Sequence, residues 1–205
     1  MKEDAFTKLW QLIMRIALGM AILLFMTEIV SFQKSGSNPF PTTAALAFVG
    51  FLLTFFRFWF GQWRHLEFCW EKSGSYTWEG IATTRNALLL VQGIIFCYMA
   101  ACILSLNHFL IAFIILLSIN IIWLVTGLIH LLSLYQGVTY VNLRSHIHPL
   151  CCWTINNTIA VVLILSIIAQ KSDLYLALGI AILLLNSYFD FMLTQDYYKK
   201  RIEFH

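Results

Sequence analysis

Six stretches of the chain stay apolar for long enough to approach the ~20 residues a helix needs to cross a hydrocarbon core. They cover residues 9–32, 42–62, 87–106, 109–135, 153–170 and 174–194. The breaks between them have turn chemistry. The string Ser35-Gly36-Ser37-Asn38-Pro39 precedes the second stretch, and Lys171-Ser172-Asp173 precedes the sixth. Only Asn107 and His108 separate the third from the fourth, so the pattern predicts a tight antiparallel helical hairpin there. The expected fold is all-α: one polytopic transmembrane helical bundle spanning residues 1–205, with about six spans and a loop over residues 63–86.

Basic residues orient the spans, because cytoplasmic loops retain Lys and Arg and short translocated loops avoid them. With the N-terminus inside, the inner side holds Lys2, Lys8, Arg15, Arg57, Arg64, Lys72, Arg85, Arg144, Lys199, Lys200 and Arg201. Lys34 and Lys171 are then the only two of the 13 basic residues on the outside. A four- or five-helix reading would carry an inner cluster across the membrane. Both termini, and the 63–86 loop, are therefore expected to be cytoplasmic.

Composition agrees. The chain is 60% hydrophobic and 11% charged, against roughly 25% charged residues in soluble domains. The net charge of +3 comes from the inner rims and forms no basic face of useful size, so direct nucleic-acid binding is not expected. Glu3 and Asp4 interrupt the region that would be basic in a secretory signal, and no small-residue cleavage site follows, so the first span is expected to be retained. Cys69, Cys151 and Cys152 fall on the reducing side and Cys97 and Cys102 within a span, which argues against a disulfide framework.

Polar residues inside the spans need a reason, since a charge at mid-membrane costs about 2.5–3.5 kcal/mol on insertion scales. Arg57 lies about a turn and a half before the inner end of the second span, and Asp190 lies at similar depth in the sixth, one turn after Asn186. The pattern suggests an Arg57–Asp190 contact, within one chain or between neighbours; the alternative is that Arg57 snorkels to lipid phosphates and Asp190 reaches water. Asn120 and His130 in the fourth span sit about 80° apart in azimuth, a broad polar stripe fit for a proton relay or for helix packing. Gln92, Asn156 and Asn157 are amides that glue helices but do not titrate. Glu28, near the outer end of the first span, either guards a vestibule or marks the interface.

The segment His146-Ile147-His148-Pro149 with Cys151 and Cys152 carries metal-capable atoms but lacks the paired CxxC or HxxxH spacing of zinc sites. No nucleophile–base constellation, Walker loop or HExxH occurs. Neither enzymatic chemistry nor a bound metal or cofactor is expected.

The inner loop is the richest segment outside the spans. Its apolar residues recur at helical spacing without Pro, so the second span should continue as a helix until Ser73-Gly74-Ser75. Trp59, Trp63, Trp70, Tyr76 and Trp78 concentrate there, either as a lipid-facing aromatic belt or as a docking surface for a soluble partner. Acidic residues interleave with the basic ones, unlike a simple anionic-lipid binder. The candidates for docking are Trp63, Arg64, Glu67, Trp70, Glu71 and Trp78, joined by Tyr197, Tyr198, Lys199 and Lys200 of the C-terminal tail.

Two blocks, Arg57-Phe58-Trp59-Phe60-Gly61 with Arg64-His65-Leu66, and residues Asn186 to Asp190 with Asp196-Tyr197-Tyr198, resemble the membrane subunit of the Kiwa bacterial anti-phage defence system. The resemblance covers a small part of the chain. It implies a homo-oligomer in the bacterial inner membrane that responds to phage at the envelope and works with a soluble cytoplasmic partner that binds DNA.

Three readings follow. One is a non-enzymatic, oligomeric membrane sensor or scaffold that recruits a cytoplasmic effector through the inner loop and the tail. Another is an ion channel or pore lined by Asn120, His130 and Glu28, though no filter-like glycine string is present. A secondary transporter is the third, disfavoured by the lack of inverted repeats. Gly93 with Cys97, and Ala177 with Ala181, have the spacing that permits close helix packing and oligomers.

Overall fold

A computed structural model describes residues 5–35, 42–72, 79–134, 140–169 and 173–199, with side chains over residues 8–34, 42–62, 86–129, 147–169 and 177–195. The described chain is all-helical: α1 (Ala5–Ser35), α2 (Thr42–Lys72), α3 (Glu79–Ala101), α4 (Leu106–Leu134), α5 (Tyr140–Ile168) and α6 (Asp173–Lys199). Five helices are long and apolar enough to cross a membrane; the apolar part of α3, Asn86–Ala101, is shorter than the others. The chain is therefore a multi-pass membrane protein by the length and composition of its helices.

Three boundaries differ from those read in the sequence. The α3–α4 turn falls at residues 102–105, so Asn107 and His108, expected to form the turn, lie in the first turn of α4. Ser105 is the reason. Its carbonyl accepts the first α4 bond from the Phe109 N–H at 2.9 Å, and its hydroxyl meets His108 Nδ1 at 2.6 Å, an N-cap arrangement. Upstream, the Cys102 N–H is shared between the carbonyls of Tyr98 and Met99 at 3.0 and 3.1 Å, which tightens α3 into its end. Second, α5 starts at Tyr140, upstream of the expected 153, and runs through Pro149. Third, α3 starts at Glu79, upstream of the expected 87. The continuation of α2 to Lys72, by contrast, is the one expected from the helical spacing of its apolar residues up to Ser73.

The helices pack as two layers of three. One layer is α3, α4, α5 in that order and the other is α1, α2, α6; α1 faces α3, α2 faces α3 and α4, and α6 faces α4 and α5. The central positions go to α4 and α2. A helix apolar all round belongs inside, and half of the α4 span is buried (50%) against 17% of α1.

Aromatic rings and glycines set the close contacts. Trp10 of α1 stacks on Trp59 of α2 at 5.3 Å, and Phe25 on Phe48 at 4.4 Å, so these two helices run antiparallel. Phe96 of α3 is met edge-on by Phe51, Phe55 and Phe58 of α2. A Cβ at Gly93 would come within 2.9 Å of Ile13, and one at Gly179 within 2.6 Å of Leu110. The Gly93/Cys97 stripe, expected to permit oligomers, is thus occupied inside the chain by α1; Cys97 Sγ also lies 3.8 Å from the Ile13 carbonyl. Ala177 and Ala181 are exposed.

Candidate functional site

The buried polar side chains of the spans lie from mid-bundle to the end at which α2 and α6 finish. Arg57 is their centre. Its Nε lies 2.8 Å from Asp190 Oδ2, and its Nη2 donates to Asp190 Oδ1 at 2.9 Å, a bidentate pair of the kind that the guanidinium fork favours. Nη2 also donates to Asn157 Oδ1 at 2.6 Å, and Nη1 donates to Asn186 Oδ1. The pair is sequestered, with side-chain exposures of 8% and 2%. Such a charge pair is stable away from water only when its remaining donors and acceptors are also met, and here the two asparagine oxygens meet them.

One side chain thereby joins three helices. Among the described residues no Cα of α2 comes within 8 Å of one in α5, yet the length of Arg57 carries its fork to Asn157. The α5–α6 side is closed by a reciprocal amide pair: Asn156 Nδ2 donates to the Asn186 carbonyl at 2.8 Å, and Asn186 Nδ2 donates to the Asn156 carbonyl at 3.2 Å.

A second network lies beside the first. Gln62 of α2 donates to Gln92 Oε1 of α3, and Gln92 Nε2 donates to Asn120 Oδ1 of α4 at 3.3 Å. Between the networks is a cavity of about 30 Å³ bounded by Arg57, Asp190, Gln62 and Asn120, with Trp123 and Trp153. Gln62 Oε1 is buried and has no hydrogen-bond partner among the described residues.

Below Asp190, α6 bends. Thr194 has non-helical backbone angles of −124° and 16°; its hydroxyl donates to the Asp190 carbonyl at 2.5 Å and accepts from Trp153 Nε1 at 3.2 Å. Trp153 of α5 therefore holds the point where α6 changes direction.

On the other side of the charge pair, α2 and α6 leave a groove of about 690 Å³ lined by Leu53, Phe56, Phe60, Leu184, Ser187, Tyr188 and Phe191, with Arg57 and Asp190 at its edge. Phe56, Phe60, Tyr188 and Phe191 are exposed and face outward from the bundle.

Of the residues expected inside the membrane, Arg57 and Asp190 meet within one chain, and Asn120 joins the adjacent network. Glu28 is half-buried on α1, in the half of that helix away from both networks. The side chain of His130 lies outside those described, as do the side chains of Trp63, Arg64, Glu67, Trp70, Glu71, Tyr197, Tyr198 and Lys199; Trp78 and Lys200 lie outside the described residues altogether. Gln62 and the Trp153–Thr194 latch escaped the sequence reading. Gln62 passed for the interfacial end of a span, and its only signal was its place five residues after Arg57. His148 comes within 3.6 Å of Cys152, and among the described residues no three His, Cys, Asp or Glu side chains gather at one point.

Compared with protein-family models, with curated proteins and with solved structures, the chain matches none.

Proposed function

We propose that this chain is a non-enzymatic, homo-oligomeric sensor and scaffold of the bacterial inner membrane that recruits a soluble cytoplasmic partner, in the setting of anti-phage defence. The observation that carries the reading is the Arg57 tie. It fastens α2 to α6, the two helices that continue beyond their apolar spans into the candidate docking segments: α2 past Gln62 to Lys72 and α6 past Gln195 to Lys199. A change of packing inside the membrane that moves one helix against the other would move the two segments together. That is a mechanical route from membrane to partner, and it needs no chemistry at the site.

The packing weighs against a conducting path through a single copy. In the half of the bundle remote from the networks, Phe109, Leu110, Phe113, Leu116 and Leu117 of α4 are fully buried, and a dry apolar layer is a barrier to ions.

The test is capture of the tagged protein from its native host in mild detergent, with mass and composition of the complex measured together. A stoichiometric soluble partner, lost from the Trp70→Ala/Trp78→Ala variant while membrane assembly persists, is expected. A homo-oligomer with nothing attached, conducting ions in planar bilayers with a conductance altered by His130→Ala, would replace this reading with a pore.

A further inference from the structure

The Arg57–Asp190 pair forms part of the wall of two spaces at once. It bounds the small cavity between the two polar networks and the edge of the large groove between α2 and α6. A molecule in the groove would therefore lie against the salt bridge that ties these helices. This bears on what the sensor responds to, and it rests on the sensor reading above.

The groove constrains its occupant. Its walls are formed by residues of two membrane spans, with Phe60 and Tyr188 more than half exposed at 56% and 57%, so access is from the hydrocarbon and the occupant must dissolve in it. At about 690 Å³ it falls within the 300–1,000 Å³ range of small-molecule sites, which are mostly apolar with a few polar groups that fix orientation. The polar groups here are Arg57, Asp190 and Ser187, whose hydroxyl is shielded and has no hydrogen-bond partner among the described residues. Charge narrows the choice further. The guanidinium and the carboxylate already neutralise one another at 2.8 Å, so neither an anionic nor a cationic head would find an unmatched charge, and either would have to be desolvated to reach the pair at the groove's edge.

We infer that the α2–α6 groove is a binding site for a membrane-dissolved amphiphile with an apolar body and an uncharged, hydrogen-bonding head. The head sits beside Ser187 and the Arg57–Asp190 pair, and the body lies along Phe56, Phe60, Tyr188 and Phe191. Occupancy bears directly on the contact that sets α2 against α6.

The experiment uses the full-length protein in vesicles of phosphatidylethanolamine and phosphatidylglycerol. Photoactivatable diacylglycerol is the uncharged probe, and photoactivatable phosphatidylglycerol with the same acyl chains is the anionic one; crosslinked peptides are mapped by mass spectrometry. Diacylglycerol is expected to label α2 around residues 53–60 and α6 around residues 184–191 about fivefold more than the anionic probe, and to be competed away by unlabelled diacylglycerol. Leu53→Trp, which fills an exposed wall of the groove one turn from Arg57, should abolish this labelling, and Ser187→Ala should reduce it severalfold. Equal labelling by both probes without competition means bulk acyl chains fill the groove, and crosslinks from these residues to a second copy mean the groove is a subunit interface; either result overturns the inference. If labelling fails while the cytoplasmic partner is still captured, the inference falls and the scaffold reading stands; loss of partner capture with specific labelling intact does the reverse.

Discussion

Along α4 the bundle interior changes character within one turn. Phe109, Leu110, Ala112, Phe113, Leu116 and Leu117 are buried among apolar neighbours, and then Asn120 takes its bond from Gln92. The half on the Asn120 side is held by directional contacts: a bidentate ion pair, five asparagine or glutamine bridges, and the Trp153–Thr194 latch. Among the described residues the other half is packed mainly by shape, with Gly179 letting Leu110 approach the backbone. In a bilayer, lipid tails are as apolar as leucine, so apolar packing between helices gains dispersion but little hydrophobic energy. The dry half can close many helix pairs; the polar half accepts only partners that satisfy its donors and acceptors, and so it fixes which helices are neighbours.

The sharpest way to break this contrast is Arg57→Ala. It leaves Asp190 buried and uncompensated, and thermal unfolding in detergent should show a loss of about 3–5 kcal/mol. Arg57→Leu with Asp190→Leu should recover most of that stability while losing the specific α2–α6 register. The exchange Arg57→Asp with Asp190→Arg should recover part of it; no recovery relative to either single change would mean that the pair does not govern stability.

In the dry half, Phe113→Ala should cost about 2–4 kcal/mol, because a cavity forfeits dispersion contacts whatever the solvent. A cost well below that, read by the same unfolding assay, would mean that lipid enters and fills the gap. Gly179→Val tests the same half by overpacking. The 2.6 Å approach of an added Cβ to Leu110 should cost about 1–3 kcal/mol, since Leu110 is itself fully buried.

Smaller effects separate hydrogen bonds from packing. Gln92→Leu removes the residue that links Gln62 to Asn120, and interhelical bonds in membranes average ~0.6 kcal/mol and reach ~1.7. Its expected loss lies toward the upper end, because Asn120 also loses its donor. Ser105→Ala, at the cap of α4, should cost about 1 kcal/mol and is the control for a local effect that leaves both halves intact.

Much of this site was legible before the fold. Arg57 and Asp190 stand out as charges at matching depth in two spans, and Asn186 one turn from Asp190 points along the same face. Their contact needed only that the two helices be neighbours, which no periodicity reveals. The reach of Arg57 to Asn157 on α5, a helix whose backbone does not touch α2 among the described residues, depends on side-chain length and crossing geometry together. Gln62 was illegible for another reason: an amide at the end of an apolar run reads as interfacial unless a partner at the same depth is known. The α3–α4 turn was misplaced although its signal was present, because Asn107 and His108 broke the hydropathy pattern more visibly than Ser105, whose capping role decides where α4 begins.

By itself the sequence determined that the chain forms apolar helices of membrane-crossing length and which of their residues are polar, because helix length, hydropathy and the cost of charge in hydrocarbon are properties of each segment alone. The tertiary structure alone decided the two-layer order of the helices, the closure of the Arg57 network across α2, α5 and α6, and the groove on its outer side. Those depend on which faces meet. In a solvent as apolar as the helices themselves, that choice rests on the geometric fit of glycines and the mutual satisfaction of a few buried polar groups.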